Sequence, residues 1–213
     1  MRIPHLKYFW LLLCLVVTAC HSPVPEVKAM DDHQKELQEI SEQIQDGDLV
    51  LRLGNDITSN ILAQLNLKDK RFSHIGICFV ENGTKLVYHS VGSEYGTHNL
   101  LRKDSLQNFL DLSNNLSIGY CRTGLNMVHL KHIHDTLAQW YLQQIPFDMD
   151  FDWQSDDKMY CSELVAKAIM RGTDSVVIPI TDTLGRQYFS IDNILGTFPT
   201  DSTGYYTRSL RKQ

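Results

Sequence analysis

The chain has 213 residues, 43% of them hydrophobic and 21% charged, with a formal net charge of −5. That profile suits one globular domain with a substantial core, and it excludes fibrous chains and phosphate-neutralising nucleic-acid binders. The five cysteines contain no C-x-x-C spacing, which excludes zinc ribbons and thioredoxin-like redox centres; no cofactor is expected.

Arg2 and Lys7 precede an apolar run from Tyr8 to Val17, too short to span a bilayer but suited to a signal peptide. The run closes in Val17-Thr18-Ala19-Cys20, which resembles the lipobox of bacterial lipoproteins. The resemblance implies cleavage before Cys20, acylation of that residue and attachment to the membrane in the bacterial cell envelope. If the source is Gram-negative, His21 after Cys20 favours the periplasmic side of the outer membrane. Loss of residues 1–19 removes Arg2 and Lys7 and takes the formal charge from −5 to −7. Residues 20–30, with Pro23 and Pro25, read as a tether, and 31–213 as one α+β domain.

Asp31 or Asp32 starts a predicted helix to about Gln45, with Leu37, Ile40 and Ile44 as its buried stripe. Leu49–Leu53 is a predicted strand, and Asp56–Lys70 is helix-compatible. Ile75–Val80 and Lys85–Val91 flank Asn82-Gly83, a strong hairpin signal. Residues 97–115 suggest only a short helix near Leu106–Leu112, and Ser117–Arg122 suggests a strand. Asn126–Gln144 is a predicted helix with Leu130, Ile133, Leu137 and Tyr141 facing the core. A further helix over Cys161–Arg171, ended by Gly172, and a strand over Val176–Ile180 complete the reading.

A two-residue turn at Asn82-Gly83 pairs Glu81 with Thr84, places Gly76 opposite His89 and puts His74 opposite Val91. His74 and His89 then share one face as diagonal neighbours, with Gly76 leaving room beside them. Cys161 falls in the first turn of its helix, where backbone N–H groups and the helix dipole favour a thiolate. It shares a side with Leu164, Val165 and Ala168, so the helix–sheet contact is expected to aim it at the histidines. Cys78 and Cys121 read as packing residues.

Gly47-Asp48-Leu49-Val50, Ser73-His74-Ile75-Gly76-Ile77 and Tyr160-Cys161-Ser162-Glu163-Leu164-Val165 together resemble the circularly permuted papain-like hydrolases of the NlpC superfamily. The YiiX-like and YaeF-like permuted amidases resemble them most, and the likeness runs from about Gln45 beyond Pro179. It implies a single-domain α+β fold with an antiparallel sheet packed against helices, a nucleophile at Cys161, a base at His74 and a third polar group at the position of His89. Many relatives carry a carboxylate there, whereas acyltransferases of the lecithin–retinol type carry histidine. The expected chemistry is attack by Cys161 on a carbonyl, an oxyanion held by the Cys161 backbone N–H, and a thioester intermediate. Glu163 reads as a support of the helix start.

The leading expectation is an envelope-anchored amidase or peptidase acting on a peptide or other amide or acyl substrate, cell-wall peptides among them. The alternatives are an acyltransferase or thioesterase acting on lipid, and a non-catalytic binding lipoprotein. His129, His132 and His134 lack the i, i+4 spacing of a metal site and read as a solvated helix surface. Asp148, Asp150, Asp152, Asp156 and Asp157 lack the glycine and terminal glutamate of an EF-hand and suggest an acidic rim to the cleft, suited to a cationic group.

Overall fold

The computed structural model describes residues 32–92, 99–183, 185–198 and 203–207. The expected signal segment, Cys20 and the tether lie outside them. Asn82 and Gly83 turn the chain with φ of 50° and 79°, the positive values a tight hairpin turn needs. Strands β2 (His74–Glu81) and β3 (Thr84–Ser90) therefore pair in the expected register, Glu81 opposite Thr84 and Ile77 opposite Tyr88.

β1 (Leu49–Gly54) lies against the other edge of β2, and β5 (Asn115–Cys121) lies against β1. With β4 (Leu101–Ser105) and β8 (Thr203–Thr207) at its edges, the sheet runs β4-β3-β2-β1-β5-β8, antiparallel throughout. Alternation along the central strands gives it two apolar faces. Leu49, Leu51, Ile75, Ile77 and Tyr88 face helices α4 (Met127–Leu142) and α5 (Cys161–Gly172). Val50, Cys78, Val87 and Ile118 face α1 (Asp32–Gln43) and α3 (Leu106–Phe109). Cys78 and Cys121 are buried free thiols in these two different cores, so they have no route to a disulfide.

Helix α2 (Ile57–Ala63) follows β1, and the Asp56 carboxylate caps it by accepting the Ser59 N–H at 2.8 Å. On α4, Ile133 and Leu137 enter the core as expected, but Trp140 fills the next inward position and Tyr141 is 37% exposed. Val176–Ile180 is not a strand. Pro179 has no N–H to donate, and only Ile178 of the run is buried. The ordered elements come just after it: a small hairpin of β6 (Thr181–Thr183) and β7 (Arg186–Tyr188), then α6 (Ile191–Leu195). β4, β8, this hairpin and α6 carried no clear signal in the sequence. β4 reads Leu-Arg-Lys-Asp-Ser, an edge strand with charged residues and no apolar alternation.

Candidate active site

The start of α5 is pinned from several sides. Glu163, fully buried, accepts the Tyr160 N–H at 3.2 Å, and its other oxygen meets Lys167 Nζ at 2.7 Å. The Ser90 hydroxyl donates to the Met159 carbonyl at 2.7 Å, tying the helix start to the strand that carries His89. Tyr160 Oη accepts the Phe189 N–H, and the Ser162 hydroxyl donates to the Phe189 carbonyl. These contacts hold Cys161, which is partly buried, against a cavity of about 500 Å³ that His74, Arg52, Ser73 and Phe151 also line.

His74 Nε2 lies 2.8 Å from His89 Nδ1, so the two rings meet as the hairpin register requires. A Cβ on Gly76 would stand 2.6 Å from Val87 Cγ1, 2.8 Å from the Tyr88 carbonyl and 3.1 Å from His89 Cβ. Glycine is what lets β3 and its histidine come this close. Both rings also rest against Phe109, at centroid distances of 5.7 and 5.0 Å.

Phe109 belongs to the α1–α3 face, and this corrects the expected path of approach. The histidines project from that face, whereas α5 packs on the opposite one. Cys161 does not meet them across the helix–sheet contact. Its thiol sits at the beginning of β2, beside the backbone N–H of Ile75, and shares with His74 the cavity at that strand end. Helix periodicity predicts which face of α5 is buried, but it does not say which face of the sheet receives it.

A fourth residue completes the array. Asp104 on β4 pairs with Val87, two residues from His89 on one face, and its Oδ2 lies 3.1 Å from His89 Nε2. The diagonal-neighbour rule that joined the histidines would have found Asp104 had β4 been recognised. The hydrogen-bond pattern fixes the tautomers. The His89 and Arg102 contacts hold the Asp104 carboxyl below its usual range, so it is ionised and only accepts. His89 Nε2 must then carry the proton. Burial keeps His89 neutral, so its Nδ1 accepts from His74 Nε2. The proton-free nitrogen of His74 is Nδ1.

Burial also decides the resting charges. It pushes the Cys161 thiol above its ordinary value, although the N–H groups of Ile75, Ser162 and Cys161 itself pull the other way. His74 is held well below its usual range, first by burial and then by Arg52 and His89. The resting pair is a neutral thiol and a neutral imidazole. The thiolate expected from the helix dipole is outweighed by desolvation. Cys78, deeper in the core, is pushed up to about 12 and Cys121 to about 11.

The acidic rim is not found on this cavity. Buried Asp148 accepts the N–H groups of Asp150 and Asp152 at 2.9 and 2.6 Å, and between them Phe151 is held at φ 57°. Asp156 is taken by Lys167 and Arg171. Asp150 and Asp152 line an adjoining cavity of about 620 Å³ with Ile61, Trp153 and Asp182. The histidine-rich face of α4 is also less solvated than expected, because His134 bonds Glu81 at 3.0 Å and stacks on Phe79. Among the described residues, no group of three His, Cys, Asp or Glu is placed to hold a metal ion.

No curated protein matches the chain. Among solved structures, the crystal structure of metalloprotein YiiX from Escherichia coli O157:H7, DUF1105, is similar in fold at a TM-score of 0.59 and 19% identity. The similarity covers 78% of this chain and 98% of that one. The sequence pattern of the permuted papain-like amidase enzymes, YaeF/YiiX, C92 family, matches residues 43–203, which include β1, both histidines, Asp104 and Cys161. The chain belongs to this permuted papain-like amidase family.

Proposed function

We propose that the protein is a cysteine amidase or peptidase in which Cys161 attacks the carbonyl, His74 is the general base, and His89 and Asp104 position His74. The observation that carries this reading is the ordered chain Asp104–His89–His74, whose last member lines one cavity with Cys161. Because the resting pair is neutral, the Cys161 proton passes to His74 Nδ1 as the sulfur bonds the carbonyl carbon. The Cys161 N–H at the helix start donates to the oxyanion, a contact worth about 2.7–4 kcal/mol when preorganised. The imidazolium returns its proton to the departing amine, leaving a thioester that water hydrolyses.

Lipid on Cys20 would anchor this activity at the envelope membrane and bring it to cell-wall peptides. A second reading, an acyltransferase or thioesterase acting on lipid, draws support from the adjoining cavity, where Ile61, Leu62, Leu65, Phe151, Trp153 and Tyr188 form an apolar lining. The test is to incubate the protein, and separately its Cys161→Ala variant, with peptidoglycan fragments and with phospholipid vesicles. New amine termini from the fragments, absent with Cys161→Ala, support the amidase. Acyl loss from the phospholipids alone supports the second reading, and equal turnover by both proteins removes Cys161 from the chemistry.

A further inference from the structure

Arg52 lies opposite His74 in the β1–β2 ladder and lines the same cavity as Cys161. It is the one lysine or arginine among the described residues lining that cavity. Its guanidinium lies over Phe109, 4.8 Å from the ring centroid, and its N–H groups have no acceptor among the described residues. No carboxylate among the described residues forms an ion pair with it. The two carboxylates whose charge acts on it are already engaged, Asp104 by His89 and Arg102, and Asp56 by the N–H and hydroxyl of Ser59. The Cys161 sulfur is within its electrostatic reach.

A second polar group on the cavity also lacks a partner. Ser73 is 6% exposed, lines the cavity, and its hydroxyl has no hydrogen bond among the described residues. Its backbone N–H donates to the Arg52 carbonyl at 3.0 Å, so the two residues are locked side by side. A partly buried cation without an ion pair and an unsatisfied hydroxyl on one cavity are costly to maintain unless a ligand completes them.

From this arrangement we infer that Arg52 is a specificity residue that binds a carboxylate of the substrate, with Ser73 Oγ as a further donor on the same cavity. A planar carboxylate suits the two-pronged edge of guanidinium. The inference rests on the amidase reading and narrows it. The favoured substrate is an amide with a free carboxylate next to the scissile bond, such as an acylated amino acid or the carboxyl end of a peptide.

The test uses a matched pair of alkylating probes, iodoacetate and iodoacetamide, which differ in that carboxylate. In each reaction the Cys161 sulfur bonds the methylene carbon, iodide leaves with the electron pair, and the thiol proton passes to His74 or solvent. The ratio of the iodoacetate rate to the iodoacetamide rate at Cys161, mapped by mass spectrometry, should exceed that of free cysteine by at least about tenfold. In Arg52→Gln it should fall to the free-cysteine value, and Arg52→Lys should keep part of the excess. Added salt should lower the wild-type ratio, a readout that needs neither variant to fold. A wild-type ratio no higher than that of free cysteine, or one unchanged in Arg52→Gln, overturns the inference. The amidase reading fails by a different result, hydrolysis that survives Cys161→Ala.

Discussion

Replacing Gly76 by alanine perturbs the site without touching any group that does chemistry. The added methyl would stand 2.6 Å from Val87 Cγ1 and 2.8 Å from the Tyr88 carbonyl, where ordinary contact begins at 3.4 Å. Relief requires β2 and β3 to part by roughly 0.6–0.8 Å. Overpacking of this kind costs about 1–3 kcal/mol. At about 2–4 °C per kcal/mol for a chain of this size, the melting temperature should fall by about 2–12 °C. The same parting carries His89 away from His74, whose nitrogens are 2.8 Å apart. A misplacement near 1 Å is enough to lower kcat/KM by about 10²-fold. Calorimetry and steady-state kinetics on Gly76→Ala should show both losses. Leu137→Ala, which empties the core under α4, should lose comparable stability with little change in rate below its unfolding temperature. A Gly76→Ala protein that loses stability but keeps its rate would show that the glycine does not set the histidine contact.

Other outcomes follow from the same contacts. Asp104→Asn removes the charge, and with it the acceptor-only group, that fixes the His89 tautomer and should lower kcat by roughly 10²-fold, with KM little changed. Glu163→Ala removes the acceptor of the Tyr160 N–H and one of the two carboxylates on Lys167, which keeps Asp156, so stability should drop by about 1–3 kcal/mol in urea titrations; an unchanged midpoint would deny Glu163 its role. His74 and His89 have folded pKa values below the unfolded 6.5, so below that pH the unfolded chain binds more protons and stability falls with acidity. Glu163, raised to about 7 from 4.5, acts in the opposite sense: its contribution is full below about 4.5 and is lost as pH rises to about 7. The specific test is therefore the slope of stability between pH 5 and 7, which should be less positive in His89→Gln than in wild type.

The sequence made the hairpin legible because an Asn-Gly turn and period-2 alternation fix register residue by residue. That register alone was enough to bring His74 and His89 together. It made α5 legible through its apolar stripe and the position of Cys161 at its start. Asp104 stayed hidden because a charged edge strand has no apolar alternation, and its partner lies fifteen residues away across the sheet. Arg52 was hidden for a related reason. It sits in an otherwise apolar strand, and only the β1–β2 register sets it opposite His74. The side of the sheet that α5 covers is a tertiary choice that no single element encodes. The charge state of the thiol also depends on tertiary burial, which here outweighs the helix-start effect that the local sequence suggests.

If Cys161 forms the acyl intermediate with His74 as its base, an activated ester should trap it. The protein is mixed with p-nitrophenyl acetate and quenched in acid, and the acetyl group is located by mass spectrometry. The thiol sulfur takes the acetyl group and nitrophenolate leaves, so the adduct marks the nucleophile. Acetyl should appear on Cys161 and on neither buried Cys78 nor Cys121, with acylation roughly 10²-fold slower in His74→Ala. An adduct elsewhere, or acylation of Cys161 at the same rate without His74, would overturn the assignment of nucleophile and base.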